Sequence, residues 1–354
     1  MRISIAIIED YNFSRDPVRL GMKGLADAAR KLEDLGFDRI ISPETAGHDP
    51  FLPLMIAAEH TDRIDLGTGI VVAFPRPPLV VAQMAWDLQR FSAGRFHLGL
   101  GTQVKKHNER RYGVPWTAPP AQRMREYVEC LRAIFQTFQD SDNPRYFEGQ
   151  HYRFSMSPPV FTPLPIEHPH IPIHMAAVNQ HMSRLGGELL DGVFAHPVCT
   201  PKYMREVMLP TIEEGANKAG RKLSDIDVMA APIIVTGRNA AELEEEMKLH
   251  KRRVSFYAST RTYHTVFKVH GWNELGNRLH EMSLEGRWQE MAQLIPDEMA
   301  EEFAVSGLVD EIAPKLRERW GGLASTLSFP TDFPLDTPED QKRAREIIDA
   351  VHEM

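Results

Sequence analysis

The stretch Ile64-Asp65-Leu66-Gly67-Thr68-Gly69-Ile70-Val71-Val72, the helical pattern from Leu79 to Arg90, and Arg95-Phe96-His97-Leu98-Gly99-Leu100 together decide the fold. An apolar run, an amphipathic helix and a second apolar run make one β–α–β unit, with parallel strands and a right-handed crossover. The same alternation extends in both directions. Upstream lie a strand at Ile3 to Ile8, a helix at Met22 to Leu35, a strand at Arg39-Ile40-Ile41 and a helix at Phe51 to His60. Leu25, Ala28, Ala29, Leu32 and Leu35 recur at helical spacing, and Gly36 sits where a helix stops. Downstream, Met124, Tyr127, Val128, Leu131, Ile134, Phe135 and Phe138 share one helix face. Strands follow at Ile171 to Met175, Gly192 to Ala195, Ile226 to Val235 and Leu323 to Phe329. Helices are expected at Gln180 to Leu190, Pro201 to Ala219 and Pro338 to His352.

Eight strands, most followed by a helix, predict an α/β fold of the (β/α)8 TIM-barrel type with insertions, in preference to a doubly wound open sheet. The chain has 354 residues. At roughly 100–200 residues per domain that allows two domains, but the strand count makes residues 1–354 a single barrel domain. Residues 139–170 form an insertion after the fourth strand, with a hairpin expected around Tyr146 to Phe154. Residues 239–319 form helical insertions before the eighth strand, at Ala240 to Arg253, Trp272 to Gln293 and Leu308 to Arg319.

Composition removes several classes. Lys plus Arg is 41 and Asp plus Glu is 49, a net charge of −8. That balance opposes nucleic-acid binding, which needs clustered positive charge. The 2 cysteines, Cys130 and Cys199, provide no disulfide framework, CxxC motif or thiolate zinc site, and fit a reducing cytoplasm. The start has a short apolar run ended by Glu9-Asp10, unlike a signal peptide. No stretch approaches the roughly 18 apolar residues of a membrane span. His168, His170 and His174 are interrupted by prolines and lack acids at ligand spacing, so no metal site is expected. No P-loop, GxSxG, or GxGxxG opening a βαβ unit occurs.

In such barrels chemistry sits at the carboxyl ends of the strands. Ser42-Pro43-Glu44-Thr45-Ala46-Gly47-His48-Asp49 places a carboxylate and an imidazole after strand two, where acid or base work is done. The alternative for Glu44 and His48 is a turn cap and an ordinary loop residue. Gly67-Thr68-Gly69 and Gly99-Leu100-Gly101-Thr102-Gln103 put glycines inside two neighbouring strands, which marks close backbone approach and suits a planar cofactor. Barrel packing demands small residues too. Ala176-Ala177-Val178-Asn179-Gln180 opens a helix, whose exposed amides suit a phosphate. Asn179 as the helix N-cap is the competing reading. The run Lys105 to Arg111 is basic; diluted by Glu109 it reads as a solvated face, and its place after strand four also lets it meet an anionic cofactor tail.

The segment Leu88-Gln89-Arg90-Phe91-Ser92-Ala93-Gly94-Arg95-Phe96-His97-Leu98-Gly99-Leu100-Gly101 resembles the signature of the bacterial luciferase-like flavin and deazaflavin oxidoreductases. Leu66-Gly67-Thr68-Gly69-Ile70, Met175-Ala176-Ala177-Val178 and Gly187-Glu188-Leu189-Leu190-Asp191-Gly192 match as well. Residues 44–53, 86–103 and 104–111 are similar to the branch that uses the deazaflavin coenzyme F420. The resemblance implies a barrel with insertions, a homodimer, and hydride transfer between the deazaflavin carbon C5 and a small organic substrate. It implies a non-proline cis peptide at Gly69-Ile70 backing the ring, with Thr68 beside it. Glu44 matches an acidic position near the ring, where it or His48 handles the proton or orients the ring. Val72 matches the ring edge, Thr102 and Gln103 the ring pocket, and Asn108 the cofactor side chain. Ala177, Val178, Asn179 and Gln180 match the phosphate loop. That loop commonly reads Gly-Pro where this chain has Asn179-Gln180; Asn tolerates the left-handed conformation better than most residues. The alternatives carried with this reading are an FMN-dependent monooxygenase and a non-catalytic ligand-binding barrel. Residues 44–52, the Trp116 region and the long insertion set the substrate. Tyr257, Tyr263, His264 and Trp272 of that insertion are read as core or dimer contacts, with substrate stacking as the alternative.

Overall fold

The computed structural model describes residues 1–7, 22–44, 48–329, 335 and 337–354. Ile8, the last residue of the expected first strand, lies outside them, as do Thr45, Ala46 and Gly47. The strands are β1 (Arg2–Ala6), β2 (Arg39–Ser42), β3 (Asp65–Thr68), β4 (Val71–Val72), β5 (Phe96–Gly101), β6 (Phe147–Glu148), β7 (Arg153–Phe154), β8 (Ile173–Ala177), β9 (Gly192–Ala195), β10 (Asp227–Ala230), β11 (Ile233–Gly237), β12 (Ala304–Leu308) and β13 (Thr326–Phe329). Nine of these run β3-β2-β1-β13-β10-β9-β8-β5-β4, and β3 also pairs β5. Since β3 and β4 are two pieces of one stave, this is the eight-staved (β/α)8 barrel that the alternation predicts.

The chain divides into two compact units. One holds Ile5–Ala176 and Leu189–Gly192. In it β3 pairs β2 in parallel register, Arg39 opposite Asp65 and Ser42 opposite Thr68. On its other side Gly67 faces His97 of β5. The peptide bond Gly69–Ile70 is cis and interrupts the stave. Pairing resumes with Val71 opposite Leu100 and Val72 opposite Gly101. The next helix, Pro78–Phe91, begins with proline at its first position, where the missing N–H costs nothing. Its buried Trp86 packs on Phe135 and Phe138 of helix Pro120–Gln139, at 6.0 and 5.6 Å between ring centroids. The expected hairpin in the insertion is present as the antiparallel pair β6–β7.

The most family-specific stretch of the sequence proves to be architectural over half its length. Ala93 (φ 53°) and Gly94 (φ 90°) both adopt the left-handed region to turn the chain from helix into β5. A Cβ on Gly94 would stand 2.7 Å from the His168 ring. Arg95 donates to the carbonyls of Ile64 (2.7 Å) and Thr61 (2.8 Å) and to that of Ser92 (2.9 Å). Gln89 donates to the carbonyls of His168 and His170 and accepts from the Phe96 amide. These residues tie the foot of β5 to two neighbouring loops. Also toward the strand feet, Asp65 meets His97 at 3.3 Å and Arg39 at 4.0 Å, and the His97 and His174 rings lie 5.3 Å apart.

The other unit holds Met1–Ser4, Ala177–Glu188 and Val193–Met354. The single strand expected at Ile226 to Val235 is two. β10 pairs β13, whereas β11 pairs in parallel with β12, outside the barrel sheet. Pro232 separates them, because it has no N–H for a continuous ladder. Ile233, Val235 and Ala304 make a small core of their own with Leu243, Met247 and Tyr257 packed against it. β12 is not foreseen by the sequence reading. The helix expected over Pro201 to Ala219 contains a π-helical turn at Met204–Met208 before it continues as Leu209–Lys218. Pro210 has no amide hydrogen to donate back to Glu206, so the regular ladder breaks there. Gly187 of helix Gln180–Leu189 and Gly215 of helix Leu209–Lys218 let these two backbones touch. A Cβ would stand 1.9 Å from the Ile212 carbonyl oxygen at the first and 2.0 Å from the Arg184 carbonyl oxygen at the second.

Candidate active site

Beyond the carboxyl ends of β2 to β5, Glu44 organises a hydrogen-bonded wall. Its carboxylate is buried. Oε2 accepts from the Val72 amide (2.7 Å) and from Arg76 Nη1 (2.7 Å), and Oε1 accepts from the Tyr112 hydroxyl (2.9 Å). The Glu44 amide donates to the Ile70 carbonyl (3.1 Å), and the Gly69 amide to that of Ser42 (2.9 Å). Arg76 carries a second carboxylate, Asp49, at 3.0 Å. Its guanidinium is partly desolvated, which lowers its pKa, but the Glu44 and Asp49 bonds outweigh that and hold it above the ordinary arginine value. Burial, and then the bond to Glu44, push the Tyr112 phenol up. These bonds tie Glu44 and Asp49, which follow β2, to the chain after β4.

The residues expected here sort by exposure. Gly69, Ile70, Thr102 and Gln103 are half-buried, and His48 is exposed on the loop after β2. Ile70 lies over Gly101, where an added Cβ would stand 2.4 Å from Ile70 Cδ1. A side chain at 101 would therefore have to displace the Ile70 side chain from this seat. Gln103 is held in the left-handed region (φ 55°), with its own Oε1 accepting from the Val104 amide. Such a conformation in a non-glycine residue is uncommon and concentrates at functional sites. Thr68, Val72 and Asn108 are fully buried behind this half-open surface. Thr68 Oγ1 both donates to the Gly99 carbonyl and accepts from the Gly99 amide, each at 2.8 Å, clamping β3 to β5. Asn108 donates from Nδ2 to the carbonyls of Thr102 (2.9 Å) and Val104 (3.2 Å), bracing the turn that carries Gln103.

In the other unit, Asn179 Oδ1 accepts from the Met182 amide at 3.1 Å, so Asn179 caps helix Gln180–Leu189. The Ser183 amide and hydroxyl both donate to the Asn179 carbonyl. The first two amides of the helix, of Gln180 and His181, have no acceptor among the described residues and no preceding turn to bond to. Val178 is pinned by the Tyr203 hydroxyl, which donates to its carbonyl at 2.7 Å. Ala177 is buried, Val178 and Asn179 are half-buried and Gln180 is exposed.

Several contributors went unread in the sequence. Arg76 and Tyr112 complete the Glu44 wall. Arg123, buried over the Phe74 ring at 4.3 Å, donates to the Tyr152 hydroxyl (2.8 Å) and the Phe74 carbonyl (3.3 Å). Trp116 meets Phe74 edge-on at 5.8 Å. Among the described residues no group of three or more His, Cys, Asp or Glu is placed to hold a metal ion, and no helix is long and apolar enough to cross a membrane.

The (β/α)8 barrel agrees with what the chain resembles. The model of the luciferase-like monooxygenase family matches residues 13–326, and the chain belongs to that family. It is 45% identical over 298 residues to an uncharacterized protein of Mycobacterium tuberculosis, covering 84% of this chain and 87% of that one. It is 27% identical over 292 residues to 5,10-methylenetetrahydromethanopterin reductase of Archaeoglobus fulgidus, covering 81% and 82%. Among solved structures, the coenzyme F420 dependent tetrahydromethanopterin reductase of Methanopyrus kandleri superposes with a TM-score of 0.77 at 23% identity, over 99% of this chain and 98% of that one. That likeness is one of fold.

Proposed function

We propose that the protein is a coenzyme F420-dependent oxidoreductase that moves a hydride between the deazaflavin C5 and a small organic substrate. The observation that carries this reading is the surface of Gly69, Ile70, Thr102 and Gln103, half open to solvent and rigidly backed. A flat ring fits a surface built largely of backbone, where the Gln103 side chain is tied to the Val104 amide and Ile70 supplies an apolar floor. The naming of a relative as a methylenetetrahydromethanopterin reductase supports a reductase chemistry. The two amides at Gln180 and His181 fit a cofactor phosphate, with the helix dipole behind them. Ala177, Val178 and Asn179 shape that turn.

The cofactor, when bound, supplies the hydride chemistry. The chain's own residues hold and orient it. Thr68 and Asn108 act as braces behind the ring surface, and Val72 closes its edge. Glu44 sets the position of this edge through the Val72 amide and Arg76. His48, exposed on the same loop, handles the accompanying proton.

The test is a fluorescence titration of the purified chain with coenzyme F420 and, separately, with FMN. Saturable F420 binding, weakened by Gly101→Ala, is the expected result. Tight FMN binding with oxygen consumption on reduction would overturn this reading and establish a flavin monooxygenase. F420 binding with no turnover for any reductant or oxidant would make the protein a ligand-binding barrel.

A further inference from the structure

His196 directly follows β9, at its carboxyl end, and Tyr263 belongs to a one-turn 3-10 helix, Arg261–Tyr263, in the long insertion. Their rings lie 4.6 Å apart, and His196 Nε2 stands 3.1 Å from the Tyr263 hydroxyl. Tyr257 meets both rings nearly edge-on, at 5.3 Å from His196 and 5.9 Å from Tyr263. All three side chains are only half-buried, so this aromatic corner has an open side.

The direction of its hydrogen bonds follows from one backbone contact. The Val198 amide donates to His196 Nδ1 at 3.1 Å. An amide N–H can only donate, so Nδ1 carries a lone pair. Burial holds the imidazole pKa down to about 4, so at neutral pH the ring is uncharged and its single proton sits on Nε2. Nε2–H therefore donates to the Tyr263 oxygen. The Tyr263 hydroxyl hydrogen must then point elsewhere, and among the described residues no acceptor meets it. His264 and Trp272 differ: His264 bonds the Ala258 carbonyl, and Trp272 stacks on His270 at 4.5 Å. They are packing residues, as the sequence reading expects. Tyr263 is placed to do more.

We propose that Tyr263, oriented by His196, is the hydrogen-bond donor of a ligand site at the carboxyl end of β9 that takes the oxygen of an uncharged carbonyl compound. The donor is neutral and comes from an aromatic corner, which favours a carbonyl on an apolar or aromatic body over an anion. As the substrate group of the proposed oxidoreductase, this site rests on that reading; as a binding site it stands on its own geometry.

The probe is acetophenone, with ethylbenzene as the analogue of similar shape lacking the oxygen. Both are titrated by saturation-transfer NMR against the full chain and against Tyr263→Phe. The expected result is acetophenone binding weakened about three- to tenfold by the substitution, the range of one neutral hydrogen bond, with ethylbenzene binding unchanged. Unchanged ethylbenzene binding also shows that the variant is folded at this corner. Equal acetophenone affinity in the two proteins, or no acetophenone binding, overturns the proposal. Long-range 1H–15N correlation of the histidine rings, with His196 assigned by its loss in His196→Gln, reads the tautomer; a proton on Nδ1 overturns it as well. None of these measurements uses a cofactor. Failure to bind F420 would therefore refute the hydride-transfer reading and leave this donor intact.

Discussion

Replacing Glu44 separates its charge from its shape. In Glu44→Ala three donors lose their acceptor: the Val72 amide, Arg76 and the Tyr112 hydroxyl. Removing one partner of a buried ion pair generally costs about 3–5 kcal/mol, because the other charge is left uncompensated. Here Arg76 keeps Asp49 at 3.0 Å. That second carboxylate places the expected loss near the lower end, about 3 kcal/mol. Glu44→Gln retains an oxygen for Val72 and Arg76, and its new amide hydrogens can bond to the Tyr112 oxygen. What disappears is the charge assistance, worth about 1 kcal/mol against a neutral acceptor. Urea unfolding at pH 7, followed by circular dichroism, measures both variants. The reasoning predicts a clear order, wild type above Gln above Ala, with the second gap the larger. If Gln and Ala were equally destabilised, charge alone would hold the wall; if neither lost stability, the wall would not hold the fold at all. Either result refutes the division of labour proposed for Glu44.

Two further outcomes follow from other features. Burial pushes His97, His196, His250 and His270 down to about 4, from about 6.5 in an unfolded chain. Between those values the unfolded state binds more protons than the folded one, so stability is fully present above pH 6.5 and is lost progressively as pH falls toward 4. The urea midpoint should decline across that window, and a flat profile down to pH 4.5 would show these imidazoles charged in the folded protein. Gly187→Ala would press a methyl group into the Ile212 carbonyl, a backbone atom that cannot swing aside. Overpacking of this kind costs about 1–3 kcal/mol or more. A lowered melting temperature with unchanged carbonyl-probe binding is expected, and an unaltered melting temperature would contradict the close helix crossing.

Much of the barrel was legible because strands and helices alternate with clean periodicities, and because buried parallel strands are short apolar runs. The same rule merged β10 with β11: both are apolar, and Pro232 is the sole break between them. β12 escaped because Ala-Val-Ser-Gly-Leu is short and lies among helices. Glu44 could be found from its place after a strand. Its partners could not, since Arg76 and Tyr112 lie 32 and 68 residues away and no local spacing links them. For Asn179 the residues allow a helix cap or a phosphate ligand; the geometry makes its side chain the cap, taking the Met182 amide, and the proposed phosphate contact falls to the amides of Gln180 and His181. His196 and Tyr263 are 67 residues apart, and nothing in either segment announces the other.

The seat of Ile70 over Gly101 has a consequence for how such chains diverge. The two positions belong to adjacent staves and compete for one volume, so a change at one bears on the other. A larger residue at 101 is tolerated only where position 70 has already shrunk, and a smaller residue at 70 opens a gap that a methyl group at 101 would fill. The pair should drift together among related sequences. The floor of the proposed ring pocket would then alternate between an isoleucine from one strand and an alanine from its neighbour, with the shape of the floor kept while the strand that supplies it changes.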